Sequence, residues 1–254
     1  MHAFFLPLIV AGMAASSLTA SPKITQGVPF YTDYWGTGPT AGMMILGYWD
    51  AHGYPDLIPG DASAQTRAID DLIASPGNIA DYVDPVDKPG AILPDAYITA
   101  GRQPHPDNSL ADLMGTSQSA ILNPAGYTSE SWAWFGVERW MQAHSGPQLN
   151  VCYGHMCDTR MDFLNGPAAL SEIYARVKAS LDRGDPLMAV TAAHGPDTPT
   201  DNFVVVVGYR PGNPAKLAYL DPKDRTGGLH WRHFVPAGAS DGFYAVMYFE
   251  PLTP

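Results

Sequence analysis

Apolar residues in this chain recur first at a helical spacing and later at a strand spacing. From Pro39 to His52, Ala41, Met44, Ile45 and Tyr48 fall at i, i+3, i+4 and i+7, which predicts a helix with one buried face. Thr37 stands where an N-cap belongs, and Pro39 is tolerated in the first turn. His52 closes the helix, where a cationic side chain meets the negative end of the dipole. Residues 62–75, 108–121 and 129–144 carry further helical patterns. In the last of these, Trp132, Phe135, Val137 and Trp140 form the apolar load and read as core. The clearest amphipathic stripe is Leu170, Ile173, Val177 and Leu181 within 167–185, ended by Gly184.

Beyond Gly184 the period changes. "PLMAVTAA", "NFVVVVGYR", "KLAYLDP", "GLHWRHFV" and "GFYAVMYFE" are short β-rich runs separated by Gly, Pro and Asp, the signature of an antiparallel sheet. Helices first and strands second predict an α+β protein with a helical lobe packed on a C-terminal sheet. Residues 76–106, rich in Pro, Gly and Asp, read as a surface excursion rather than a linker.

The ends and the composition narrow the setting. The opening "MHAFFLPLIVAGMAASSLTA" holds no Asp, Glu, Lys or Arg and ends on small residues, so residues 1–20 read as a secretory signal peptide and the chain as extracellular. The apolar run is too short for a permanent anchor, and no later segment is long and apolar enough to span a bilayer. A net charge of −11 with no Lys/Arg cluster argues against nucleic acid or an anionic membrane as partner. The two cysteines, Cys152 and Cys157, are spaced for a short disulfide in an oxidising compartment. Zinc is the rival with His155 between them, but it would be a ligand short.

A small turn running into a helix is a setting in which hydrolases hold a nucleophile, because unpaired N–H groups and a partial positive charge gather there. A Cys in such a place gains thiolate character. "GVPFYTDYWGTGPTAGMMILGYWDAHGYPDL", followed by "DNFVVVVGYR" and "KLAYLDP", resembles the C39-like branch of the papain-like cysteine peptidases. "LADLMGTSQS" resembles a segment of its secreted members. The resemblance spans roughly residues 27 to 250 and implies one papain-fold domain over 21–254.

In that family the nucleophilic Cys lies two residues before the Pro, here Thr37. The catalytic His directly precedes the apolar strand, here Asn202, and the orienting acid lies in the "DP" turn, here Asp221. The upstream Gln that helps bind the oxyanion has no clear match; Thr32 and Asp33 lie nearest. A threonine hydroxyl is far more basic than a thiol and needs a base. An Asn side chain takes no proton near neutral pH.

The paired replacements imply a degenerate peptidase that binds a peptide in the inherited cleft, with Thr37 capping the helix and Asn202 paired to Asp221. The alternative is an active hydrolase or acyltransferase using Thr37 with a relocated base, His194, from the loop before Asn202. His230 and His233, three apart on a strand, point to opposite faces and make no metal pair. No phosphate loop, dinucleotide fingerprint or HExxH zinc motif occurs, and no cofactor or metal is implied.

Overall fold

The computed structural model describes residues 21–81, 108–117, 125–144, 160–164, 167–191, 202–236 and 242–249. The expected signal peptide, the Cys152–Cys157 loop with His155, and His194 lie outside the described residues.

Seven strands build one antiparallel sheet: β1 (Lys23–Ile24), β2 (Arg160–Phe163), β3 (Leu187–Thr191), β4 (Asn202–Arg210), β5 (Lys216–Leu220), β6 (Leu229–His233) and β7 (Ala245–Tyr248). Their order is β2-β7-β3-β4-β5-β6, with β1 paired to β4. Among the described residues six helices accompany them: α1 (Thr37–Ala51), α2 (Arg67–Ile73), α3 (Pro76–Asp81), α4 (Leu110–Leu113), α5 (Glu130–His144) and α6 (Pro167–Arg183). The protein is α+β, as the change of period predicts.

β4 explains the architecture. Its run "NFVVVVGYR" is buried from Phe203 to Tyr209, which requires cover on both faces. Successive side chains in a strand point to opposite sides, and the core divides accordingly. Phe203, Val205 and Val207 join Met188, Val190 and Met247 against Met44, Ile45 and the other side chains of α1. Val204 and Val206 join Leu187, Ala189 and Val246 against Ile173, Val177 and Leu181 of α6. The α6 stripe therefore packs as expected, with Leu170 at its partly buried end.

Several expectations need correction. The single buried face of α1 is an underestimate, because every residue from Thr37 to Trp49 is buried. One side meets the sheet, and Gly42 abuts Leu110, Met114 and Val137 of the α4–α5 side. Residues 62–75 start their helix only at Arg67, where the Thr66 hydroxyl accepts the Ile69 N–H. Of residues 108–121, the described part 108–117 forms the short α4, opened by a reciprocal Ser109–Asp112 capping box and followed by turn residues with positive φ at Gly115 and Ser117. Of the apolar load on α5, Val137 and Trp140 are core, but Trp132 and Phe135 are 54% and 38% exposed.

Residues 76–81, read as surface excursion, instead form α3, whose Asn78 N–H is held by the buried Ser75 hydroxyl. β1 and β2 place strands before α1 and α6, so helices and strands are not strictly segregated. β1 has only two residues and no period of its own. Gly208 admits it: a Cβ there would lie 2.2 Å from the Lys23 carbonyl oxygen. The β4–β5 register shifts between Val206 and Gly208, a local irregularity at the same point.

A polar cluster ties β1, α6 and β4 together. Asp182 accepts hydrogen bonds from Lys178 and from the Tyr209 hydroxyl (2.7 Å), and the Lys23 ammonium lies 3.6 Å from it. The Lys178 and Tyr209 bonds, then Lys178 and Lys23 by charge, hold its carboxyl below the usual 3.8, at about 2. A depressed folded pKa contributes stability above the unfolded value that is lost as pH falls through the folded one. We therefore expect wild-type thermal stability to drop between about pH 4 and pH 2 with a component that Asp182→Asn removes. A melting series over that range reads it.

Candidate functional site

The turn before α1 is held from both sides. Asp33 Oδ1 accepts the Gly36 N–H at 2.8 Å, and the Asp33 N–H donates to the Pro222 carbonyl at 2.8 Å in the β5–β6 turn. The Thr40 hydroxyl donates back to the Gly36 carbonyl at 2.8 Å. Gln65 clamps the preceding residue: its Oε1 accepts from the Thr32 N–H (2.7 Å) and hydroxyl (2.8 Å), and its Nε2 donates to the Thr32 carbonyl (3.1 Å) and Asp70 Oδ1 (2.7 Å). Asp70 is half-buried and anchors this clamp. Asp71 pairs with Arg67 at 2.9 Å. Gln65 and Thr40 carry no signal in the sequence that marks them, since Gln65 acts across 33 residues.

Thr37 departs from the expected cap. The N-cap is Gly36, with no side-chain cap bond, and Thr37 is the first helical residue. Its hydroxyl oxygen accepts the Phe203 N–H at 3.0 Å, joining α1 to β4, and Thr37 is 4% exposed. The oxygen thus serves β4 as an acceptor rather than capping α1. Among the described residues no imidazole, amine or carboxylate is hydrogen-bonded to this oxygen.

Asn202 and Asp221 are brought together. Asn202 Nδ2 lies 3.0 Å from both carboxylate oxygens of Asp221. A carboxylate only accepts, so the amide nitrogen must face it. Asn202 Oδ1 is then left buried and without a hydrogen-bond partner among the described residues. Asp221 Oδ1 also accepts the Lys223 N–H at 2.9 Å, and the Asp224 N–H returns to the Asp221 carbonyl at 2.9 Å. His230 pairs with Asp224 at 2.8 Å rather than with His233.

Electrostatically the turn is acidic. Asp33 is exposed, yet loss of water on its protein side raises its carboxyl pKa, opposed by the Gly36 N–H and Lys223 and reinforced by Asp221. Among the described residues, no group of three or more His, Cys, Asp or Glu could hold a metal ion, and no helix is long and apolar enough to cross a membrane.

Three positions widely separated in sequence (37, 202 and 221) thus meet where α1, β4 and the β5–β6 turn converge. The arrangement can present hydrogen-bonding groups to a ligand. It offers no proton acceptor to the Thr37 hydroxyl among the described residues. Replacing that hydroxyl tests its structural part. Thr37→Val keeps the shape but leaves the Phe203 N–H unsatisfied, which should cost about 1–3 kcal/mol, whereas Thr37→Ser should cost less. Urea denaturation of the two variants measures the difference.

Comparison with known protein families and with curated proteins finds no match to this chain.

Proposed function

We propose that this is a secreted protein of the papain-like, C39-like type whose catalytic centre has degenerated, and which binds a peptide or polypeptide segment rather than cutting it. The single observation that carries the reading is the state of the two replaced positions. Thr37 occupies the nucleophile's place with its oxygen bound to the Phe203 N–H, and Asn202 occupies the base's place with its amide nitrogen bound to Asp221.

The second contact preserves the orienting role of the acid without a group that titrates. Acyl transfer from a hydroxyl needs a positioned base to take its proton as the bond forms. An amide oxygen does not serve at neutral pH. The α+β architecture, with a buried helix N-terminus facing the start of the interior strand β4 and the "DP" turn, is compatible with the family resemblance.

Incubating the protein with a peptide library, and reading cleavage and retention together, tests the proposal. Retention without cleavage is expected. Cleavage abolished by Thr37→Ala would overturn it.

A further inference from the structure

We propose that Asp33 makes the turn before α1 reject anions, and so constitutes a third lesion beside Thr37 and Asn202. This rests on the papain-like reading of the turn and concerns the chemistry the site admits. The N-terminus of a helix ordinarily gathers donors and partial positive charge, which stabilise a thiolate or a developing oxyanion.

Here the N-cap donor is spent internally. The Gly36 N–H, at the N-cap, points to Asp33 Oδ1 at 2.8 Å, and the Phe203 N–H across the gap points to Thr37 Oγ1 at 3.0 Å. α1 has no acidic residue in its first turn, so Asp33, three residues before the cap, supplies the negative charge at this end. It is fixed there from the other side by the bond from its own N–H to the Pro222 carbonyl.

Asp221 adds a second carboxylate whose charge reinforces that of Asp33, and the Lys223 ammonium opposes Asp33. Asn202 Oδ1, an acceptor, is buried without a hydrogen-bond partner among the described residues. A carboxylate or an acyl oxyanion would therefore meet charge of its own sign, with the Gly36 and Phe203 N–H groups already committed. A ligand group that donates hydrogen bonds, such as a peptide N–H or an ammonium, would not.

A thiol placed at position 37 reports the local field. In Thr37→Cys, the thiolate ultraviolet absorbance is titrated as a difference against wild type, which carries the same Cys152 and Cys157. Asp33→Asn keeps a side-chain oxygen for the Gly36 N–H while removing the charge. In the double variant the thiol pKa should fall by roughly one pH unit, about tenfold more thiolate below the pKa.

Asp56→Asn removes the same charge from an exposed position past the opposite end of α1 and should leave the pKa in place. An unchanged pKa with Asp33→Asn, or an equal fall with Asp56→Asn, would overturn the inference. A second measurement needs no variant. In wild type the Gly36, Thr37 and Gly38 amide proton shifts should follow one acidic titration, that of Asp33. Movement of none of them, or of Gly36 alone, counts against a field that reaches the helix. Either failure leaves the peptide retention assay unaffected, so the two proposals fall separately.

Discussion

Gly36→Ala is expected to destabilise the protein by about 3 kcal/mol or more, among the larger effects a single methyl group can have. Two causes add. Gly36 has φ 108° and ψ 144°, a region that residues with a Cβ avoid at a cost of about 1–3 kcal/mol. The new Cβ would also stand 2.1 Å from the Gly126 carbonyl oxygen and within 2.9 Å of the Gly126 Cα. Both partners are backbone, so no side-chain rotation relieves the contact.

Gly126, itself at φ 79°, sits in a loop fixed by the Ser117 hydroxyl, which accepts its N–H at 2.8 Å, and by the Ser117 N–H, which donates to Tyr127 at 2.7 Å. Yielding at this point must move either that loop or the turn bearing Thr37. Gly60→Ala is the control: its φ is 100°, but a Cβ there meets nothing within 4 Å, so only the backbone term of about 1–3 kcal/mol should appear. Urea midpoints of the two variants separate the terms. Faster hydrogen exchange at the Phe203 amide in Gly36→Ala would show that the Thr37 contact is lost with the turn.

That contact shows where the sequence is legible and where it is not. β4 and α6 are read directly because a buried strand and an amphipathic helix each write their period into consecutive residues. The meeting of Asn202 and Asp221 follows from the resemblance and appears as a pair of 3.0 Å contacts. The capping role given to Thr37 fails for a definite reason. A hydroxyl at a helix start has a local partner in its own first turn, and local patterns cannot reveal that Phe203, 166 residues on, presents an N–H instead.

The same limit hides the Gln65 clamp and the Gly36–Gly126 approach, since neither a lone glutamine nor a glycine in "PAGYT" differs from ordinary loop chemistry. Trp132 and Phe135 mislead in the other direction. An aromatic on a helix reads as core, but on α5 the buried side is set by Val137 and Trp140, whose indole N–H donates to the Leu57 carbonyl at 2.8 Å.

Restoring both lost groups should change reactivity far more than either alone. Thr37→Cys by itself places a thiol beside the Phe203 N–H but with no base, so it should behave as a buried, unactivated cysteine. Asn202→His by itself places an imidazole against Asp221 with only a hydroxyl to act on.

Together they supply the pair that the geometry lacks. Asp221 is already positioned to accept from one ring nitrogen, as it accepts from Asn202 Nδ2, which would leave the other nitrogen to act as a base. An imidazolium beside a thiol lowers the thiol pKa by about one to several units. Alkylation near pH 6 by a small electrophile should therefore rise at least about tenfold in the double variant over Thr37→Cys alone.

The pH profile carries the decisive detail. An ion pair gives a reactive plateau beginning on the acidic side of the ordinary cysteine pKa, near 8.5, whereas a thiol that merely became more accessible keeps its inflection there. Equal rates and equal inflections in the single and double variants would mean that positions 37 and 202 do not face one another closely enough to have formed a catalytic pair. Because Asp33 still opposes negative charge at the turn, adding Asp33→Asn to the double variant should move the inflection further toward acid. The two proposals then act on one thiol through separable terms: an imidazole gained and a carboxylate removed.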